Sequence, residues 1–180
     1  MSTFAKGLEG VVAAETRMSF IDGAKGILEY VGIPIGELAA NSTFEETVFL
    51  LWNTRLPRAD ELRDFTRDLR ARYEPHKELA KMVLNTPKDA QPMHVLRTLV
   101  SALSLFDPEP NANDPASARA KALNILAQTP AILAYFDRHR RGLPIVPPDR
   151  SMSVAENFLY MLNGAKPTPT MTKAVDVCLI

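Results

Sequence analysis

The sequence predicts an all-α, multi-helical fold with a small β-hairpin near the N-terminus. After residue 41, apolar residues recur at three- and four-residue spacing, and helix-capping residues stand at the ends of these runs. Six of the eight glycines fall before residue 41, among β-branched residues. The chain therefore divides into residues 1–40, a hairpin with a connecting segment, and residues 41–180, a helical region. With 46% apolar residues among 180, it can bury a core.

The predicted hairpin centres on the dipeptide Asp22-Gly23. Such a pair accepts positive φ at little steric cost, so it favours a tight turn between strands at 16–21 and 25–31. A lone two-stranded ribbon is only marginally stable in water. We therefore expect the hairpin to pack on the helical region.

Helix starts and stops can be read at several positions of the helical region. Ser42 with Glu45, and Ser153 with Glu156, have the spacing of capping boxes. A basic run before Gly142 suits the negative end of a helix dipole and a left-handed cap. Together with the apolar spacing, these signals predict seven helices, at residues 42–56, 59–73, 76–84, 91–106, 116–141 with a bend at Pro130, 153–163 and 170–180.

Two of these helices are unusually apolar. Residues 91–106 carry apolar side chains around nearly the whole cylinder, which is typical of a helix buried within a protein or between subunits. In the last helix the apolar content rises up to Leu179 and Ile180, with no glycine, asparagine or basic residue to cap it. We expect that this chain was cut inside a larger fold. A terminus buried in a dimer interface is the alternative.

Charge and cysteine content exclude several classes of protein. The 21 basic and 21 acidic residues balance, so the excess of cations that nucleic-acid binding needs is absent. A single cysteine cannot form an internal disulfide or a thiolate zinc cage. No apolar run is long enough to cross a bilayer, and the first residues do not resemble a secretory signal. We expect a soluble, cytoplasmic protein that binds neither nucleic acid nor membranes.

The search for catalytic residues yields few candidates. His76, His94 and His139 lack the spacing that places two imidazoles on one face for a metal ion. For His94, on the apolar helix, a hydrogen-bonded core position is favoured over a role as catalytic base. Cys178 lies in an apolar stretch with no adjacent cation, a setting that does not activate a thiol. Phosphate-binding glycine loops and the Gly-x-Ser-x-Gly elbow are also absent from the sequence.

The remaining polar candidates have simpler structural explanations. Arg138, Arg140 and Arg141 together might clamp an anion, but cations that neutralise a helix C-terminus explain them better. Glu156 and Asn157 lie at a helix start, where capping accounts for the glutamate. The residues themselves thus indicate a mostly helical chain without an assembled active site.

A set of short blocks recurs along the sequence in a characteristic order. The blocks are 7–16 (GLEGVVAAET), 21–23 (IDG), 26–30 (GILEY), 42–46 (STFEE), 50–51 (LL), 56–57 (LP), 91–93 (QPM), 96–98 (LRT), 101–103 (SAL), 129–130 (TP), 141–142 (RG) and 155–162 (AENFLYML). Each block is weakly specific, but in their order and spacing, over essentially the whole chain, they resemble the citrate synthase family, and the first block is similar to that family's N-terminal strand. At Val31, between Tyr30 and Gly32, the family often has arginine, so no ionic role is carried over to this position.

The resemblance implies the N-terminal part of a citrate-synthase-like large domain, in the compact bacterial and archaeal type. It implies a homodimer in which helices near 91–106 and 116–136 pack across the twofold axis. In the family, one histidine and one aspartate act on acetyl-CoA, and a second histidine and arginines act on oxaloacetate. These groups belong to segments after one that resembles residues 174–180, in the missing C-terminal half. No catalytic, cofactor-binding or metal-binding residue is therefore assigned here, and no cofactor is expected, since acetyl-CoA is a substrate.

Three functions follow from this reasoning. The leading hypothesis is that the chain is the N-terminal part of a citrate synthase, inactive alone, supplying core and dimer interface. The second is a 2-methylcitrate synthase that uses propionyl-CoA, because the acyl pocket is built from residues outside this chain. The third is a complete helical interaction module without catalytic activity.

Overall fold

The computed structural model describes Gly7, residues 11–12 and residues 14–180. The described part is mostly helical with one small antiparallel sheet, so the predicted fold class is confirmed. The predicted strand at 7–16 lies partly outside the described residues, and its described residues are not in a strand. The elements are β1 (Ser19–Asp22), β2 (Ile27–Tyr30), β3 (Ile33–Pro34), α1 (Ile35–Asn41), α2 (Phe44–Asn53), α3 (Ala59–Arg70), α4 (Lys77–Leu84), α5 (Pro92–Ala102), a 3-10 turn (Leu103–Phe106), α6 (Pro115–Arg140), α7 (Val154–Asn163) and α8 (Pro169–Leu179).

The sheet has three strands in the order β1-β2-β3, and its tight turn is not where the sequence predicts it. Asp22 ends β1 opposite Ile27, so a four-residue loop follows it, and its Oδ1 accepts a hydrogen bond from the Lys25 backbone N–H at 3.1 Å. The two-residue turn lies one strand later, at Val31 and Gly32, where φ is +53° and +77°. Positive φ at both positions is the type I′ arrangement, and for β-branched Val31 it is a strained conformation.

The start of α2 also differs from the prediction. The N-cap is Thr43, whose Oγ1 accepts a hydrogen bond from the Glu46 backbone N–H at 3.2 Å. Ser42, the predicted cap, instead donates from its Oγ to Glu46 Oε2 at 2.7 Å. The N-cap is thus shifted by one residue, because both serine and threonine precede a pair of glutamates. The shift turns Glu45 into the protein, where its side chain is 4% exposed.

Other predicted helix ends are confirmed. The Ser153 Oγ accepts a hydrogen bond from the Glu156 backbone N–H at 3.2 Å, and α7 stops at Gly164 with φ at +73°. After α6, the N–H groups of Gly142 and Leu143 donate to carbonyls of the last helical turn at 3.0 and 2.8 Å, which is a Schellman motif. The helix assignment continues through Pro130, and the bend there stays a prediction.

The core is organised around α6, which packs against α3, α4, α5 and α7. Its first half joins one apolar cluster with α2 and α3, and its second half joins another with α4, α5 and α7. Small residues on α6 allow these helices to approach closely. The fully buried or nearly buried members of α6 are Leu123, Ala127, Ala131, Ile132, Ala134, Tyr135 and Phe136.

Two buried carboxylates fasten helix starts across the fold. The Val154 backbone N–H at the start of α7 donates to Glu45 Oε1 at 2.8 Å. The Phe44 backbone N–H at the start of α2 donates to Asp176 Oδ1, on α8, at 3.0 Å. Helix N-termini present unpaired N–H groups and a positive dipole end, so each carboxylate stabilises the helix it touches. The Asp176 contact thus joins α8 to α2, and the Glu45 contact joins α2 to α7.

A buried cation fastens the opposite end of α7. Arg138, 6% exposed, donates from Nη1 to the Leu162 carbonyl at 2.9 Å and from Nε to the Pro144 carbonyl. A Cβ added at Gly164 would lie 3.3 Å from the Arg138 guanidinium nitrogens. Glycine is therefore favoured at this position for two reasons: the backbone has positive φ, and the Arg138 guanidinium leaves little room for a side chain.

We predict that Glu45→Ala lowers the free energy of unfolding by about 2–4 kcal/mol, because the Val154 N–H loses its charged acceptor inside the protein. Glu45→Gln should lower it less, since an amide oxygen can still accept. Urea unfolding followed by circular dichroism measures both. Glu109→Ala, at an exposed loop position, is the matched control and should change stability by less than about 0.5 kcal/mol. Equal stability of Glu45→Ala and the control would contradict the capping role.

We predict that Gly164→Ala is more destabilising than Gly142→Ala by about 1 kcal/mol. Both positions have positive φ, at +73° and +69°, so the backbone strain is similar. Only at Gly164 does the new methyl group meet Arg138, whereas at Gly142 no atom lies within 4 Å. Thermal unfolding of the two variants measures the difference. A larger loss of stability for Gly142→Ala would show that the Arg138 side chain moves away from the new methyl group at no cost in free energy.

Candidate functional site

Two of the three histidines are engaged in local structure. His76 caps α4, where its Nδ1 accepts a hydrogen bond from the Glu78 backbone N–H at 3.3 Å, and its ring stacks on Phe106 at 4.3 Å between centroids. His139 is half-buried, with Nε2 at 3.0 Å from the Thr86 carbonyl oxygen. Each ring thus serves to join neighbouring segments.

The expectation for His94 is wrong. Its side chain is exposed on α5, and it is not a core histidine. Val95, Leu99 and Ala102 turn toward the protein, while His94 lies on the opposite face with Arg97. The apolar composition of this helix concealed the polarity of one face, since only one stripe of it is covered within the chain.

The basic run at the end of α6 separates into two functions. Arg138 is buried and holds backbone carbonyls, so it is not part of a solvated face. Arg140 and Arg141 both bind Asp137, at 2.9 and 3.1 Å between the charged atoms. All three arginines therefore have partners from the chain itself. This agrees with the structural interpretation of the run and not with an anion clamp.

The other candidates are divided between interior and surface. Asn157 is 2% exposed, and its Oδ1 accepts a hydrogen bond from the Asp149 backbone N–H at 3.0 Å. Glu156 lies 3.6 Å from the Lys166 ammonium group. Cys178 is a free, exposed cysteine on α8. Among the described residues, no group of three or more His, Cys, Asp and Glu side chains is arranged to hold a metal ion.

Tyr73 is buried near the charged side chains of Glu45 and Arg70, and no local sequence pattern predicts this cluster. Burial raises the pKa of the Tyr73 hydroxyl, and the Glu45 carboxylate adds to this effect, while the Arg70 guanidinium opposes it. The burial of Glu45 could not be predicted from the sequence, because its position also fits an exposed capping box. The burial of Asp176 could have been predicted, since it is a single carboxylate between Val175 and Val177 in an apolar helix. Both carboxylates stabilise helix ends, and neither is paired with a nucleophile.

Exposed apolar side chains in the described chain include Phe20 and Ile21 on β1 and two surfaces in the helical region. The α5 surface consists of Met93 on α5 and Leu105 in the 3-10 turn that follows it, which are 64% and 71% exposed, so the chain alone does not bury the predicted helix at 91–106 all round. The α8 surface consists of Met171, Val177 and Leu179, each between 37% and 44% exposed. Apolar groups gathered on a helix face favour contact with another protein surface. None of the helices described has the length and apolar character needed to cross a membrane.

Comparison with known proteins gives a consistent result. The family model described as "Citrate synthase, C-terminal domain" matches residues 7–180. The citrate synthase of Deinococcus radiodurans is 42% identical over 180 residues, which are all of this chain and 48% of that protein. The citrate synthase of Haloferax volcanii is 41% identical, with 97% of this chain and 47% of that protein covered. A 2-methylcitrate synthase of Mycobacterium tuberculosis is 37% identical, with 97% and 44% covered.

Solved structures give the same answer. The crystal structure of citrate synthase from Pyrobaculum aerophilum superposes with a TM-score of 0.88 at 33% sequence identity, covering 95% of this chain and 45% of that one. Citrate synthase from Thermotoga maritima gives a TM-score of 0.83 at 32% identity, covering 97% and 45%. The chain thus spans about half the length of the relatives that it matches. The family model, the relatives and the solved structures each cover nearly all residues of this chain. The chain therefore belongs to the citrate synthase family.

Proposed function

We propose that the full-length protein containing this chain is a citrate synthase that condenses acetyl-CoA with oxaloacetate and water to give citrate and CoA. The observation that carries this proposal is the similarity to citrate synthases along the whole chain. We further propose that the chain is the N-terminal part of the large domain and is inactive alone. The lack of an assembled catalytic group among the described residues supports this second part. Its single cysteine supports a cytoplasmic location.

The proposed reaction requires a base and electrostatic stabilisation. A carboxylate removes a proton from the methyl group of acetyl-CoA, and an imidazole hydrogen-bonds the developing enol oxygen. The histidines described here are either bound in local structure or exposed on α5, so we place these groups in the remainder of the protein. The contribution of this chain is to hold its helices rigidly, through contacts such as those of Glu45, Asp176 and Arg138.

The acyl substrate is the open point within this family. Relatives named 2-methylcitrate synthase match this chain nearly as well as those named citrate synthase, at 37% against 42% identity. Propionyl-CoA is therefore the alternative substrate. A non-catalytic interaction module is disfavoured by membership of an enzyme family. An open reading frame encoding His-x-x-His downstream of Ile180 would exclude it, whereas a stop codon would support it.

We predict that the full-length protein releases CoA from acetyl-CoA in the presence of oxaloacetate, with kcat/KM at least about tenfold higher than for propionyl-CoA. A thiol-release assay measures both substrates. The 180-residue chain, with its helical content checked by circular dichroism, should show no turnover at high concentration. Turnover by this chain alone would contradict the assignment of catalysis to the remainder. A preference for propionyl-CoA would instead identify a 2-methylcitrate synthase.

We also propose that the protein is a homodimer whose interface includes helices near 91–106 and 116–136. The exposure of Met93 and Leu105 supports this, because large apolar side chains on a helix gain free energy when a second surface removes them from water. The α8 surface is then left for the remainder of the same protein. Such an arrangement covers both apolar surfaces.

We predict that Leu105→Glu weakens dimerisation of the full-length protein at least about tenfold, because the interface would bury an unpaired charge. Sedimentation velocity over a concentration series measures the dissociation constant. Phe20→Glu is the matched control, since Phe20 is also an exposed apolar residue, at 56%, but lies in the sheet. If both variants dimerise like the parent protein, the interface does not include Leu105.

A further inference from the structure

A cavity lies between the segment before α4, the end of α5 with its 3-10 turn, and the middle of α6. Its volume is about 370 Å³, within the range of small-molecule sites. Four apolar side chains form much of its wall: Val100, Leu103, Phe106 and Ile125. The proposed function assigns this cavity no role, so its polar groups have to be explained separately.

Two polar side chains of the cavity wall already have partners within the chain. Lys121 donates from its Nζ to two backbone carbonyls of the loop before α6, at 3.0 and 2.6 Å, and lies 3.9 Å from the Asp107 carboxylate. The Asn124 amide oxygen accepts a hydrogen bond from the Arg72 guanidinium at 2.9 Å. The ammonium group of Lys121 is therefore used to hold the loop and is not left free for an anionic ligand.

Two acceptors at the same cavity are in contrast unmatched. Gln128 lines the cavity from α6, and its Oε1 is buried with no hydrogen-bond partner among the described residues. Glu74 lines it from the segment before α4, is exposed, and within the described ranges forms no ion pair. A buried acceptor without a donor is unfavourable, and native proteins contain few of them. What this cavity lacks is therefore a hydrogen-bond donor.

The lining indicates the chemistry of a ligand that would supply the donor. A protonated amine has three donors and no acceptor, and its charge is opposite to that of the Glu74 carboxylate. A phosphate or carboxylate group would instead bring negative charge toward Glu74 and Asp107, and it has no donor for Gln128. An apolar part of the ligand would be removed from water against Leu103 and Phe106. The cavity thus favours a cation with an apolar body.

We propose that this cavity binds a small organic cation, a protonated amine with an apolar body. The ammonium group donates to Gln128 Oε1, the Glu74 carboxylate supplies the opposite charge, and the body lies against Leu103, Phe106 and Ile125. The proposal goes beyond the proposed catalytic function and involves neither acetyl-CoA nor oxaloacetate. Binding can be measured without turnover, so its failure would leave the proposed citrate synthase activity unaffected.

The test is isothermal titration of the full-length protein with 2-phenylethylamine, 2-phenylethanol and 3-phenylpropionate at constant pH and ionic strength. These three compounds share an aromatic body and differ in the polar group, which is a cation, a neutral hydroxyl and an anion. We expect saturable binding of the amine with a dissociation constant of about 1 mM or lower. The alcohol should bind at least about tenfold more weakly, and the anion should not bind.

Variants of the cavity wall test the two acceptors. Gln128→Met replaces the amide by an apolar group of similar length and should weaken binding of the amine about tenfold. Because the replaced acceptor has no partner, this variant should unfold at the temperature of the parent protein or higher. Glu74→Gln should also weaken binding. Glu109→Gln is the matched control, since it removes an exposed carboxylate outside the cavity wall, and it should bind like the parent protein.

Several results would overturn the proposal. The amine might fail to bind saturably, or bind no more tightly than the alcohol or to Gln128→Met as well as to the parent protein. Saturable binding of 3-phenylpropionate instead would show that the Gln128 amide presents its NH2 group to the cavity. A lower unfolding temperature of Gln128→Met would show that Oε1 has a partner in the protein. Equal weakening by Glu109→Gln and Glu74→Gln would reduce the attraction to a general effect of charge.

Discussion

The fold depends on buried charges that complete the ends of helices distant in sequence. Glu45 on α2 accepts from the first turn of α7, Asp176 on α8 accepts from the first turn of α2, and Arg138 on α6 donates to the last turn of α7. A helix end inside a protein has unpaired N–H or carbonyl groups that must find partners. These three side chains supply them, and in doing so they fix how α2, α6, α7 and α8 are placed relative to one another.

This arrangement explains why the candidate residues do not form a site of their own. The polar side chains of the interior are used to join helices, and His76 and His139 are used at segment boundaries. The apolar surfaces on α5 and α8 are in contrast uncovered. This fits the proposal that the active site lies in the remainder of a longer protein. Its relatives, which are about twice as long, are consistent with that role.

At two positions the structure differs from the predictions for definite physical reasons. At Asp22-Gly23, local turn preference suggested a two-residue turn, but the pairing of Asp22 with Ile27 places a longer loop there. The two-residue turn instead falls at Val31 and Gly32, where pairing between β2 and β3 overrides the poor preference of valine for positive φ. At His94, helix composition was mistaken for burial. Composition does not report which stripe of a helix meets a neighbour, and only packing decides this.

The sequence by itself determined the helical class, the caps at Ser153, Gly142 and Gly164, and the family. These follow from local spacing, from backbone preferences at single positions and from the order of short blocks, and none requires knowledge of long-range contacts. The tertiary structure alone decided that Glu45, Arg138 and Asp176 are buried partners of distant backbone groups. Such contacts join residues that are far apart in the chain, so no local sequence pattern predicts them.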